Sequence, residues 1–273
     1  MLKECLENVR KGTPLVHCIT NYVTVNDCAN LLLACGGSPI MADDSSEVCD
    51  ITSLCGGLVI NIGTLNQRTI PAMHLAGERA NALGHPVVLD PVGAGASALR
   101  TKTAASLLEN VQFSVIRGNI SEIKCLALGT ETTQGVDASD VDAVTEETLP
   151  AAVRFAKHFA GTINAVVAIT GAVDIVTDGR RTAIIRNGDA MMRGVTGTGC
   201  MLSAMIGAYA AANPEQSFAA AVAAVCAMGL CGELAKKRLT DLDGNAAYRN
   251  FIIDAAFHLD GDMLERGAKY ELQ

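Results

Sequence analysis

Ser114-Val115-Ile116-Arg117-Gly118-Asn119-Ile120-Ser121-Glu122 runs from an apolar strand through a short polar turn into the start of a helix. Asn119, followed three residues later by Glu122, has the capping-box spacing of a helix N-terminus. Equivalent units lie on either side. Short β-rich runs at Leu15 to Ile19, Pro39 to Met41, Leu58 to Ile62, Val87 to Leu89 and Ala165 to Ile169 alternate with longer helical stretches. This alternation predicts an α/β fold, with a mainly parallel central sheet flanked by helices on both faces. Between Asp174 and Asn187 the pattern changes to Ile175 to Thr177, a turn at Asp178-Gly179-Arg180, and Thr182 to Ile185, an antiparallel edge hairpin. From Gly199 onward the chain reads as almost entirely helical, in segments Met201 to Ala212, Ser217 to Leu239 and Ala246 to Leu259, with Asn213-Pro214 as a breaker. No internal repeat or linker divides it, so residues 1–273 are expected to form one domain.

Hydrophobic residues make up 49% and charged residues 18% of the chain, enough apolar matter for a large core. The net charge of −8 excludes an extended nucleic-acid footprint, which needs clustered Lys and Arg. An acidic protein that binds an anionic nucleotide must therefore recognise phosphate locally, with backbone N–H groups, a few cations and bound metal. Met1 to Gly12 is too charged for a signal peptide, and no uninterrupted apolar run reaches the ~18 residues of a membrane span. The nearest, Ser217 to Leu234, is interrupted by Cys231-Gly232-Glu233 and is expected as a buried helix. No membrane partner is expected, and the location is read as cytoplasmic. The 10 cysteines contain no CxxC pair and do not combine with the 5 histidines at zinc-ligand spacing, so they are expected as free buried thiols.

Most strand-like runs end in a small or polar cluster, namely Asn21, Asn61-Ile62-Gly63-Thr64, Asp90-Pro91-Val92-Gly93, Arg117-Gly118-Asn119 and Thr170-Gly171. Open α/β sheets bind ligands beyond the carboxyl ends of their strands. The sharpest local signal is Gly194-Val195-Thr196-Gly197-Thr198-Gly199-Cys200-Met201, where glycines lead into an apolar helix whose free N–H groups suit a phosphate. Its bland alternative is an ordinary Gly-rich helix cap. Cys200 falls in the first helical turn, where the dipole can lower a thiol pKa; it can serve as nucleophile, weak base or bystander. Covalent cysteine catalysis needs a histidine partner that the sequence does not place. Arg117 can clamp phosphate. Glu122 can hold Mg²⁺ directly or through water, with Asp90 as a second carboxylate, or it can simply be the capping-box partner of Asn119.

Taken together, these segments resemble the hydroxyethylthiazole kinase family, thiamine-salvage enzymes of the ribokinase-like group. The likeness also rests on Val16-His17-Cys18-Ile19-Thr20-Asn21-Tyr22-Val23, Asn26-Asp27-Cys28-Ala29-Asn30, Ser38-Pro39-Ile40-Met41-Ala42 and Leu89-Asp90-Pro91-Val92-Gly93-Ala94. It covers residues 13 to 235 in order. The resemblance implies a ribokinase-like fold and ATP-dependent phosphorylation of 4-methyl-5-(2-hydroxyethyl)thiazole. It implies substrate contacts at Asn21, Met41 and Gly197, and ATP contacts at Arg117 and Thr170. Mg²⁺ and phosphate would be handled at Asp90 and Glu122, and catalysis would take place at Cys200 with Gly197, Thr198 and Gly199. It further implies a homotrimer with active sites at subunit interfaces. Many related sugar kinases carry Asp where this chain has Cys200, and the tail around Asp243 to Tyr248 lacks the Gly-Pro-Gly-Ser-like pattern of many members. Rivals within the fold are a hydroxymethylpyrimidine kinase and an ADP-dependent hydrate dehydratase; outside enzymes, the rival is a nucleotide-binding regulator without catalysis.

Overall fold

The computed structural model describes residues 1–129 and 144–273. In chain order the main elements are α1 (Leu2–Gly12), β1 (Leu15–Ile19), α2 (Val25–Cys35), β2 (Ser38–Ile40), α3 (Val48–Leu54), β3 (Gly57–Asn61), α4 (Thr69–Ala82), β4 (Val87–Asp90), α5 (Ala98–Asn110), β5 (Val115–Gly118) and α6 (Ile120–Leu128). They continue with α7 (Leu149–Ile163), β6 (Val166–Ile169), β7 (Asp174–Thr177), β8 (Thr182–Ile185), a 3₁₀ turn (Ala190–Gly194), α8 (Thr198–Ala212), α9 (Ser217–Arg238), α10 (Asn245–His258), α11 (Gly261–Gly267) and β9 (Tyr270–Leu272).

The strands form one sheet in the order β2-β1-β3-β4-β5-β6-β7-β8-β9. Pairings from β2 through β6 are parallel, and those from β6 through β9 are antiparallel. The hairpin of β7 and β8 is present as expected, but the outermost strand on that side is β9, inside a tail expected to be helical. Tyr270-Glu271-Leu272 has only three residues, half-buried to exposed, too few for their apolar-polar-apolar order to stand out as a strand.

Because strand side chains alternate between faces, each strand feeds two cores. Val59, Val88, Val115 and Ala168 point to one side, into a cluster built with α1, α2, α8, α9 and α10. Leu58, Ile60, Leu89, Ile116 and Val167 point to the other, against α4, α5, α6 and α7. Strands buried on both faces lose the hydrophobic-polar alternation and become the short continuous apolar runs seen in the sequence. All 10 cysteines are unbridged, and all but Cys49 and Cys200 are buried.

Two helices form the inner layer of the first core. Helix α9 runs through Cys231-Gly232-Glu233, which break the apolar run but not the helix, in line with the helical segment expected from Ser217 to Leu239. The stretch Pro214–Arg238 is apolar and long enough by composition to cross a membrane, with mean hydropathy 1.9, yet 89% of its apolar window lies inside the fold. Helix α8 is buried on every side from Met201 to Ala210. It lies close to the sheet because Gly207 has no side chain, and a Cβ there would overlap Val59.

Gly207→Ala should therefore cost about 1–3 kcal/mol in urea unfolding, the usual scale of overpacking. Gly161→Ala, in α7 with open space at its Cβ position, should be stabilising by roughly 0.5–1 kcal/mol. Equal effects at both positions would contradict this packing.

Candidate active site

The parallel strands place their carboxyl ends along one edge, where the chain leaves the sheet at Asn21, Asn61, Asp90, Arg117 and Thr170. The buried helix α8 points its N-terminus at the same edge. Asn61 and Asp90 are register partners on adjacent strands, and both are buried. The structure thus brings together most of the predicted residues. Asn21, Asn61, Asp90, Arg117, Thr170 and Cys200 form one continuous chain of polar contacts.

Asp90 lies at its centre with no solvent exposure. Its Oδ2 accepts from Asn61 Nδ2 at 2.8 Å and from Ser203 Oγ at 2.8 Å. Among the described residues its Oδ1 has no hydrogen-bond partner, and it lies 3.6 Å from Arg117 Nη1. Burial raises the carboxyl pKa above its usual range, while Arg117, Ser203 and Asn61 oppose that shift. The other edge of the Arg117 guanidinium donates to Thr170 Oγ1 through Nε at 3.0 Å and Nη2 at 2.6 Å.

Gly197, the residue before α8, has φ +91°, and a Cβ there would strike the methyl group of Thr24. Among the described residues no side chain caps the helix, so its first-turn N–H groups remain available to a ligand. At Gly199 a Cβ would collide with the Arg117 guanidinium. The missing side chain lets a cation sit against the positive end of a helix dipole. Two like fields meeting in one place favour an anion between them. Thr198 is half-buried, and its Oγ1 donates a long 3.5 Å contact to Met192 O.

Cys200 Sγ accepts from Asn21 Nδ2 at 3.1 Å and from Asn61 Nδ2 at 3.3 Å. The thiol pKa moves up, chiefly through burial and secondarily through the nearby Asp90 charge, despite the helix N-terminus. Burial disfavours the charged form of this thiol, so among the roles left open by the sequence the geometry lends no support to a thiolate nucleophile. Histidine does not rescue it. His17, on β1, is committed to Thr52 Oγ1 at 2.9 Å and Ala42 O at 2.8 Å, and no histidine is among the hydrogen-bond partners of Cys200.

Asn21 is buried and its amide is fully used. Its Oδ1 accepts from Thr24 N and Thr24 Oγ1, both at 3.1 Å, and its Nδ2 holds Cys200 and Asn61 Oδ1. Met41 follows β2 at the same edge and is half-buried. Beside Asn21, Tyr22 and Val23 stand 77% and 57% exposed.

Glu122 realises the capping-box alternative in full. Its Oε2 accepts from Asn119 N and its Oε1 from Gly93 N, each at 2.8 Å, while Asn119 Oδ1 accepts from Glu122 N. Burial, reinforced by the Asp90 charge, pushes its pKa up to about 7. Among the described residues no three Cys, His, Asp or Glu side chains form a metal-binding group. The donor set still fits a hard divalent cation shared with nucleotide phosphates and water, because Asp90 Oδ1 is an unpartnered buried carboxylate oxygen. Sequence reasoning noted Asn61 only as part of a strand-end cluster and passed over Ser203, which looks like one more small residue in an apolar helix.

Residues 6–262 match the Hydroxyethylthiazole kinase family. The chain is 61% identical over 271 residues to the hydroxyethylthiazole kinase of Clostridium acetobutylicum, covering 99% of each. It superposes on the structure of the hydroxyethylthiazole kinase protein from Pyrococcus horikoshii with a TM-score of 0.88 at 35% identity, covering 100% of this chain and 98% of that one. The pyridoxal kinase from Staphylococcus aureus in complex with ADP shares the fold, with a TM-score of 0.63 at 13% identity, 95% of this chain and 97% of that one.

Raising the Glu122 pKa from 4.5 to about 7 makes the folded state hold its proton more tightly than the unfolded state. The stabilising contribution is full below pH 4.5 and is lost as pH rises through about 7. Glu122→Gln should therefore flatten the fall in unfolding free energy between pH 5 and pH 8. It should also lower stability at pH 5 by about 1–3 kcal/mol, because its amide nitrogen faces a backbone donor. An unchanged pH slope in urea titrations would show that the carboxyl is not raised.

Proposed function

This chain belongs to the hydroxyethylthiazole kinase family, and from that premise we propose how its site performs the reaction. The enzyme transfers the γ-phosphoryl group of ATP to the hydroxyl of 4-methyl-5-(2-hydroxyethyl)thiazole, giving the thiazole phosphate and ADP for thiamine salvage. The observation that carries the mechanism is the convergence of Asp90, Arg117 and the uncapped N-terminus of α8 at one sheet edge.

Phosphoryl transfer passes through a loose transition state, so positioning and charge neutralisation matter more than early removal of the alcohol proton. The N–H groups of the Gly197–Cys200 turn receive the oxygens of the group in flight, as an anion hole. Arg117, steadied by Thr170, binds the nucleotide phosphates. Mg²⁺, held by Asp90 and through water by Glu122, would neutralise charge on those phosphates. Cys200 lines the site as a neutral thiol fixed by Asn21 and Asn61, and the alcohol proton leaves late. Met41 and the loop carrying Asn21 border the thiazole ring beside Gly197; a flexible thioether packs well on an aromatic heterocycle.

The whole chain acts as one kinase domain. Three copies assemble with the active sites between them, which would cover the exposed Tyr22 and Val23 beside Asn21. Ten free thiols suit a reducing compartment, and we place the reaction in the cytoplasm.

Incubation of the protein with hydroxyethylthiazole and Mg-ATP should yield the phosphorylated thiazole by mass spectrometry; absence of that product from folded protein would reject the function. Cys200→Ala should reduce kcat by about 10- to 100-fold, at or below the low end for loss of a general base. Gly199→Ala should raise the KM for ATP by displacing Arg117. Complete inactivity of Cys200→Ala with intact ATP binding, or a phosphocysteine adduct, would make Cys200 the nucleophile instead. Tyr22→Glu should shift the light-scattering mass from trimer to monomer and raise the KM for the thiazole. An intact trimer would place the interface elsewhere.

A further inference from the structure

The polar contacts around Asp90 contain an imbalance that the phosphoryl-transfer scheme leaves unexplained. A free guanidinium and a free carboxylate close into a bidentate pair with N–O distances of about 2.7–2.9 Å. Asp90 and Arg117 do not. Their nearest atoms stand 3.6 Å apart, and Asp90 Oδ1 has no hydrogen bond although it is buried. We propose that Asn61 and Ser203 are positioning residues that hold the Asp90 carboxylate open, so that Asp90 and Arg117 meet the nucleotide as two separate charges rather than as a closed ion pair.

Each half of the pair is restrained from its far side. Asp90 Oδ2 is held by Asn61 Nδ2 and Ser203 Oγ, both at 2.8 Å. Arg117 is drawn the other way by Thr170 Oγ1. The Asn61 amide cannot swing to another partner, because Oδ1 already accepts from Gly63 N at 2.9 Å and from Asn21 Nδ2 at 3.1 Å, which also fixes which end of the amide faces Asp90. Asn61 is 2% exposed and opposite Asp90 in the β3–β4 register, so the sheet itself sets this contact.

Ser203 is completely buried in a helix otherwise lined by apolar side chains. It lies three residues beyond Cys200, on the same face of α8, so the helix that presents the anion hole also grips the carboxylate. A lone buried hydroxyl in such a helix commonly turns back on the carbonyl one turn earlier. Here it is given to Asp90 across a helix–sheet contact.

Without this grip Asp90 can rotate and close on Arg117. The guanidinium would then leave Thr170, the phosphates would lose their cation, and the divalent ion would lose the free oxygen Oδ1. The proposal rests on the kinase reaction above but concerns two residues that make no contact with the alcohol in that scheme.

The test compares the parent, Ser203→Ala and Ser203→Thr as full chains. Ser203→Ala should lower kcat roughly 10- to 100-fold, the scale on which slight misplacement of reacting groups costs rate. It should also raise the half-saturating Mg²⁺ concentration severalfold, while the KM for the thiazole alcohol stays within about twofold, since that pocket is untouched. Calorimetric titration with Mg²⁺ and the non-hydrolysable analogue AMP-PCP should show weaker binding without any turnover. Ser203→Thr, which keeps the hydroxyl, should recover most of each loss. Asn61→Ala should reproduce the weaker AMP-PCP binding from the sheet side, and it serves if the helix variants fail to fold. A Ser203→Ala protein with a lower unfolding midpoint but parental kcat, Mg²⁺ requirement and AMP-PCP affinity would reduce Ser203 to a core hydroxyl and overturn the proposal. If the parent binds AMP-PCP but does not phosphorylate the thiazole, weaker binding by Ser203→Ala sustains the clamp while the substrate assignment falls.

Discussion

The carboxylate of Asp90, sealed from solvent at the end of β4, is the constraint around which the rest of the site is arranged. Burying a charge is costly unless neighbours replace the lost hydration. Asn61, Ser203 and the approaching Arg117 do so only in part, since Oδ1 is left without a hydrogen bond and the pKa is driven upward by desolvation. A fold with no use for that charge would replace it with an apolar side chain of similar size and be at least as stable. Its retention makes sense where a cationic partner, such as a metal-bound nucleotide, completes the shell during the reaction.

The architecture explains why these groups meet. Parallel strands deliver their last residues to one edge, which brings Asn21, Asn61, Asp90, Arg117 and Thr170 into one row although they are spread over 150 positions of sequence, from 21 to 170. Helix α8 then enters from the tail of the chain. Its close seat on the sheet, permitted at Gly207, lets Ser203 reach Asp90 and brings Gly199 against Arg117. The packing of one helix thus sets both the anion hole and the spacing of the charged pair. Small residues at 197, 199 and 207 serve three contacts of one helix: with Thr24, with Arg117 and with Val59.

Much of the fold was legible because strands buried on both faces leave short apolar runs; Leu15–Ile19 and Thr182–Ile185 match the expected spans residue for residue. The capping box at Asn119 and Glu122 was legible for the same local reason, as a spacing within one turn. Strand β9 was not, because its pairing with β8 depends on a partner some 85 residues away and its own three residues are too few to register as a strand. The locations of Asp90, Arg117 and Cys200 could be read from strand ends and a glycine-rich helix start. The direction of the Cys200 pKa could not, since it depends on how much of the surrounding fold excludes water. Ser203 was invisible on similar grounds: a serine among alanines and methionines acquires a partner only when the helix meets the sheet.

The central claim is that the buried Asp90 charge is kept for chemistry rather than for holding the fold together. Asp90→Asn tests it most directly, because an amide can turn its oxygen towards Asn61 and Ser203 and preserve both hydrogen bonds while removing the charge. Thiazole phosphorylation and thermal unfolding should be measured on the same preparation. The account predicts an unfolding midpoint at or above the parent's, with turnover reduced by at least about 100-fold, the scale of losing a preorganised electrostatic contact. Near-parental turnover in a well-folded Asp90→Asn protein, or collapse of the fold when only the charge is removed, would contradict it.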